Sequence, residues 1–356
     1  MRLVSFLVKR LVLTIFTLLL LSLMILYTAS FLPPLERARL FISPHFYQHH
    51  GNDIFAWAPK LAERYGLYDP FYVQYLNWLK VMLVEGGSLG FSYLHNRWIL
   101  DVILSSFPAT LELVMYSAPI IIFGGIKLGV YSARREHEKR GREDIVDFII
   151  RAVTVLGYSV PLFFTSLLAL SIFFLNLHWV TLGRLGNEAE FFVYSGVWNS
   201  YTSFYTIDAL LNGQFWIFLD ALKHLALPVA TLTISMLAVV VKITRSSMLS
   251  ELNQTYAIAA RAKGLRKMEV ISRVKRNAMI SILTISSILF ANMLTGIVVI
   301  EYIFSINGVG ALAINAAKRH DFALLVGLSL FFCIIFTSIN VVVDIVYTYI
   351  DPRVKL

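Results

Sequence analysis

The sequence of 356 residues predicts an all-helical polytopic membrane protein with six transmembrane helices, on three observations. Hydrophobic residues make up 58% of the chain and charged ones 15%, with a mean hydropathy of +0.70. A soluble domain runs nearer roughly 45–50% and 25%, so a single water-soluble globule is excluded. Six apolar stretches reach the ~20 residues a helix needs to cross hydrocarbon with every backbone group satisfied internally. Finally, lysine and arginine gather between alternate stretches, as the positive-inside rule requires of a multi-pass chain.

Taken in order, the first stretch is Leu11 to Leu32, preceded by Arg2, Lys9 and Arg10. Its apolar core exceeds the ~7–15 residues of a secretory signal, so residues 1–32 are expected to be a short cytoplasmic N-terminus and a retained span. Residues 33–106 carry paired prolines, a glycine cluster at Gly86, Gly87 and Gly90, and an aromatic-rich middle that includes Trp57, Tyr65, Phe71, Tyr75 and Trp78. That is too apolar for a disordered linker and predicts an ordered extracytoplasmic cap. Within it, Val73, Leu76, Leu79 and Leu83 fall near helical spacing, which suits an amphipathic helix against membrane or a neighbour. The core, 107–350, holds the stretches Phe107 to Tyr131, Phe148 to Leu177, Leu225 to Val241, Met279 to Ile300 and Phe322 to Ile350. An aromatic outer loop, 178–221, and a cytoplasmic loop, 245–278, interrupt it, and 351–356 form a tail. Pro108, Pro161 and Pro228 sit within or near spans, where helix entry or a local kink accounts for them.

Of the 31 basic residues, 20 fall in segments that are cytoplasmic if the N-terminus is, while the two long outer segments hold seven against ten acids. Both termini are therefore expected in the cytoplasm, and the net charge of +9 becomes a marker of topology, with no nucleic-acid partner. The lone cysteine, Cys333, excludes an intramolecular disulfide and a cysteine-based metal cluster, and reads as a small buried hydrophobe.

Signatures of chemistry are missing. There is no phosphate loop, no H-E-x-x-H and no G-x-S-x-G, so no catalytic residue, metal site or cofactor is expected on this chain. His45, His49 and His50 fit a solvated loop better than a metal site. Glu112, Glu301 and Asp344 fall at or near apolar runs and need either an interface or a partner. A proton relay is the alternative use of such acids, and a proton-coupled carrier the alternative function.

The most informative segment is Glu251-Leu-Asn-Gln-Thr-Tyr256-Ala-Ile-Ala-Ala260-Arg-Ala-Lys-Gly264-Leu265. It predicts a short alanine-rich helix, a glycine able to take positive φ at its C-terminus, and a second helix beyond. Small side chains admit close approach of another protein, and the surrounding Arg261 and Lys263 suit an acidic-rimmed groove.

This segment resembles the coupling loop of ABC importer permeases. Ala259, Ala260, Gly264 and Val274 match its pattern, while Ile258 replaces the usual acid. Thr244-Arg-Ser-Ser-Met-Leu249, Tyr256 and Ala260-Arg261-Ala262-Lys263-Gly264-Leu265 resemble the dipeptide/oligopeptide branch. Further matches follow in family order: Ser88-Leu-Gly-Phe-Ser92, Phe107-Pro-Ala-Thr-Leu-Glu-Leu113, Ser159-Val-Pro161, His224-Leu-Ala-Leu-Pro228, Val299-Ile-Glu301-Tyr-Ile-Phe-Ser305, Gly308-Val-Gly310 and Asp351-Pro-Arg353. Two turns depart: Phe31-Leu-Pro-Pro34 replaces a P-G-D-P turn, and Asn307 replaces a proline. The resemblance implies a type I importer permease fold, with Glu301, Gly308 and Gly310 at an outer gate or structural motif. It also implies a second homologous permease subunit, two cytoplasmic ATPase subunits that carry ATP and Mg, and an extracytoplasmic substrate-binding protein. The cargo of the branch includes peptides, nickel chelates and oligosaccharides.

Overall fold

The structure, a computed structural model, describes residues 2–38, 54–82, 89–92, 94–139 and 145–350. His45, His49, His50, Gly86, Gly87 and the tail lie outside them. The helices in chain order are α1 (Arg2–Ala29), α2 (Pro34–Arg37), α3 (Ile54–Arg64), α4 (Phe71–Lys80), α5 (Ile99–Pro119), α6 (Gly125–Lys139), α7 (Ile145–Ser159) and α8 (Leu162–Leu170). They continue with α9 (Asn187–Tyr194), α10 (Tyr205–Leu211), α11 (Phe215–Leu252), α12 (Thr255–Ala262), α13 (Lys267–Ile303), α14 (Val309–Lys318) and α15 (Phe322–Ile350). One antiparallel strand pair, Phe91–Ser92 with Arg97–Trp98, sets Phe91 opposite Trp98.

Among the described residues four stretches are long and apolar enough to cross a membrane: Val8–Ala29, Ile99–Glu138, Phe215–Leu252 and Phe322–Val342. A fifth is counted if α7 and the helix after it, bent by 99° at their junction, form one span. The stretch expected at Met279 to Ile300 lies on α13, which is 37 residues long. The stretch expected over Phe148 to Leu177 is broken at Pro161, which serves as a helix entry, its φ of −59° and ψ of 140° being extended. Proline disfavours the helical region for the residue before it and supplies no N–H, so α7 ends and a new helix starts. Pro119 has a gentler effect: a five-residue π-turn, Ile120–Gly124, joins α5 to α6. Pro228 is buried inside α11.

The chain divides into two compact units. The first holds residues up to Phe107 together with Gly308–Val341. The described part of 33–106 does not stand off from the spans: α4 runs antiparallel along α1, with Phe71 edge-to-face on Tyr27 at 5.4 Å and the Tyr75 hydroxyl donating to the Leu19 carbonyl at 3.1 Å. Arg37, buried, ties the loop before α4 by donating to the Leu67 carbonyl at 3.1 Å and to the Gln74 amide oxygen. Asp321, fully buried, joins the strand pair to the start of α15. It accepts from the Ser92 hydroxyl at 2.6 Å and from the Leu324 N–H at 3.1 Å.

The second unit spans Pro108–Asn307 and is built around α11, which packs on α6, α7, α10 and α13. Gly125 and Gly129, one turn apart on α6, meet Val240 and Thr244 of α11, where an added Cβ would come within 2.6 and 2.5 Å. The missing side chains let the two backbones close. Residues 178–221 form a small core of their own from Leu185, Ala189, Ala209, Ile217 and Ala221.

Candidate functional site

The segment between α11 and α13 is positioned from both sides by an apolar cluster. Met248 and Leu252 from α11, Ala257 and Ala260 from α12, and Val270 and Val274 from α13 pack together with Ala133 of α6. Burying Ala257 and Ala260 turns the opposite face of α12 outward. Thr255, Ile258, Ala259, Ala262 and Lys263 are exposed and recur at the 3.6-residue spacing of one helix face. The result is a stripe of small side chains around one larger apolar residue, Ile258, 53% exposed.

The C-terminus of α12 is closed by two backbone bonds, from the Gly264 N–H to the Arg261 carbonyl at 3.0 Å and from the Leu265 N–H to the Ala260 carbonyl at 3.3 Å. This is a Schellman motif, and it places Gly264 at φ +79°. Arg261 works at the other junction. Its guanidinium donates to the Leu252 carbonyl at 2.7 Å, satisfying a carbonyl left free at the end of α11, and also meets the His137 imidazole of α6. Tyr256 donates its hydroxyl to Glu251 at 2.6 Å, and burial together with that bond pushes its pKa up.

The sequence-predicted residues therefore separate. Ala259, Ala262, Lys263 and Gly264 face outward, Ala260 and Val274 face the cluster, and Tyr256, Arg261 and Leu265 are half-buried at the seam. Glu301 is fully buried and accepts from the Thr110 hydroxyl at 2.5 Å. Gly308 and Gly310 belong to the first unit, at the N-cap and first turn of α14. Gly308 is in extended backbone, φ −95° and ψ −178°.

Two polar clusters carry interactions that sequence reasoning missed. Glu112 on α5, 1% exposed, accepts from Arg184 at 2.7 Å and from the Thr206 N–H and hydroxyl at 2.8 and 2.7 Å. Arg184 also lies 4.0 Å over the Tyr205 ring, which burial holds above its usual pKa. This cluster fastens the 178–221 segment to α5. The second lies where α6, α7 and α11 meet. Asp147 accepts from the Ser132 hydroxyl and pairs with Arg151 at 3.0 Å, while Arg245 donates to the Ser132 hydroxyl at 3.0 Å and pairs with Glu136. The i, i+4 spacing of Asp147 and Arg151 was the available signal for this one.

Residues 125–356 match the model of the family described as binding-protein-dependent transport system inner membrane component. Among curated relatives, the chain is 32% identical to a dipeptide transport system permease protein of Alkalihalophilus pseudofirmus, over 83% of this chain and 85% of the relative. It is 31% identical to an oligopeptide transport system permease protein of Bacillus subtilis, over 83% and 84%. Against a di/tripeptide transport system permease protein of Pseudomonas aeruginosa it is 35% identical, over 82% and 83%.

Proposed function

Because this chain belongs to the inner membrane components of binding-protein-dependent transport systems, we propose that it is the permease subunit of an ATP-driven importer of short peptides. The observation that carries the mechanism is the exposed small-residue face of α12, held between the long helices α11 and α13. A groove on each of two cytoplasmic ATPase subunits is the natural partner for such a face, this chain serving one of them and a second, homologous permease subunit the other. ATP and Mg bind on the ATPases, and an extracytoplasmic binding protein delivers cargo. Both termini are cytoplasmic in this arrangement, in keeping with the distribution of Lys and Arg.

Coupling follows from packing. Closure of the ATPases displaces α12, and α12 cannot move alone, because Ala257 and Ala260 are embedded among Met248, Leu252, Val270 and Val274. The movement passes to α11 and α13 as rigid elements, and so into the membrane. Peptide cargo is favoured by the names of the relatives, which are dipeptide, di/tripeptide and oligopeptide permeases.

The test is co-expression with candidate ATPase subunits, purification in mild detergent, and uptake by proteoliposomes given labelled dipeptide, longer peptide or oligosaccharide. Retention of the ATPases and ATP-dependent peptide uptake, insensitive to a proton ionophore, support the reading. Uptake abolished by the ionophore and indifferent to ATP would establish a proton-coupled carrier in its place, and uptake of oligosaccharide alone would reassign the cargo.

A further inference from the structure

Helix α4 covers α1 incompletely. From Phe71, beside Tyr27, the helix descends to Tyr75, beside Leu19 and Ser22. Trp78, Leu79 and Met82 then come level with Leu18 and Ile15, about halfway along the apolar stretch Val8–Ala29. There the packing opens into a cavity of about 200 Å³ bounded by α1, the end of α4 and α15.

Among the described residues its wall is hydrocarbon, indole and thioether except for Ser22. That hydroxyl is already committed: it donates to the Leu19 carbonyl at 2.9 Å and lies 3.0 Å from the Tyr75 hydroxyl. A buried water needs two to four polar partners, and an apolar cavity of about 150 Å³ stays dry and takes up benzene, so this one has room for roughly eight chain carbons. The mouth opens on the exposed apolar face of α1. Ile15, Leu19 and Ile334 at the mouth are 50, 44 and 41% exposed, continuous with Leu11, Val12 and Phe16 at 61, 59 and 61%. At mid-span depth the medium outside that mouth is the distal part of lipid chains.

We propose that this cavity is a lipid site: one acyl chain of a membrane phospholipid enters between α1 and α15 and ends against Trp78. Trp78 reports occupancy, since it is only 6% exposed and bulk lipid barely reaches it. The full-length chain is reconstituted, alone and as the assembled transporter, in phosphatidylcholine vesicles whose acyl chains carry bromine either near the headgroup or in the distal half. Bromine quenches indole on contact. Comparison with Trp78→Phe isolates one of the six tryptophans.

The expected result is at least a twofold loss of the Trp78 component with distal bromine and a smaller loss with proximal bromine, in both preparations. Leu18→Phe, which fills the cavity from α1, recovers at least half of that loss. If Trp78→Phe fails to insert, the recovery by Leu18→Phe in the wild-type background gives the same reading. An unquenched Trp78 component overturns the proposal, as does quenching that is equal at both depths and indifferent to Leu18→Phe. Quenching in the isolated chain that vanishes in the assembled transporter also overturns it, by giving the cavity to a protein partner.

Discussion

Gly264 offers a test of the coupling mechanism in which backbone conformation is the only variable. Its φ of +79° is required by the two bonds that close α12, and nothing lies within 4 Å of a Cβ placed there. Substitution therefore meets no clash, and its cost is the left-handed backbone alone. For alanine that is about 1–2 kcal/mol. Asparagine tolerates the region and costs less, whereas valine, branched at Cβ, costs the most, within about 1–3 kcal/mol. A typical fold is stable by about 5–15 kcal/mol, so the chain still inserts and folds. The turn itself is another matter, because each ~1.4 kcal/mol changes its population tenfold. Transported cargo per ATP hydrolysed should fall in the order Gly, Asn, Ala, Val, with Gly264→Val about tenfold below wild type. Uptake and hydrolysis are measured on the same proteoliposomes of the assembled transporter. A normal ratio for Gly264→Val, or Gly264→Asn as damaging as Gly264→Val, would refute the reasoning.

Three further outcomes are expected. Ala259→Glu, on the exposed face of α12, should release the ATPases without changing the unfolding temperature, whereas Ala260→Leu overpacks the cluster, costs about 1–3 kcal/mol and lowers that temperature; co-purification with thermal melts separates the two. Arg184→Met leaves the buried Glu112 with Thr206 alone and should cost about 3–5 kcal/mol, more than Glu112→Gln, by thermal unfolding in detergent. Burial outweighs the hydrogen bonds to Asp321 and raises its pKa above the ordinary 3.8, so the fold binds that proton more tightly than the unfolded chain and loses stability as pH rises through the raised value. Asp321→Asn should therefore match or exceed wild type at neutral pH, the difference closing toward pH 3.8. Neighbouring His95, held below its usual 6.5 chiefly by burial, contributes the opposite slope in both proteins, its stabilisation present above that value and lost as pH falls.

What could be read from the sequence divides by the range of the interaction. Span positions are local sums of apolar side chains, and Val8–Ala29, Ile99–Glu138, Phe215–Leu252 and Phe322–Val342 all lie over expected stretches. The break at Pro161 is local too, but hydropathy is indifferent to it, since the residues on both sides are equally apolar. The path of α4 shows a further limit. Helical spacing marked an amphipathic helix, yet nothing in periodicity gives its direction, and the hydroxyl–carbonyl bond from Tyr75 to Leu19 spans 56 residues. The partner of Glu112, 72 residues away, was likewise out of reach, because desolvation shows that a buried acid needs a donor without saying which.

The coupling helix sharpens the point. Ala259 and Ala260 are the same residue, adjacent, and both part of the matched motif, yet one is exposed and the other 8% exposed. Neighbours on a helix are ~100° apart, and an alanine-rich helix has too little contrast between its sides for the pattern to tell inside from outside. The distinction comes from tertiary packing against Met248, Leu252 and Val274. The same poverty of contrast suits the proposed function. A helix gripped on one side by its own protein and on the other by a partner needs small, apolar residues all round, with identity assigned by packing. In this helix Ile258 is the exception, the one large apolar side chain turned outward. It is therefore the residue whose replacement by aspartate should weaken ATPase retention most while leaving the buried cluster intact.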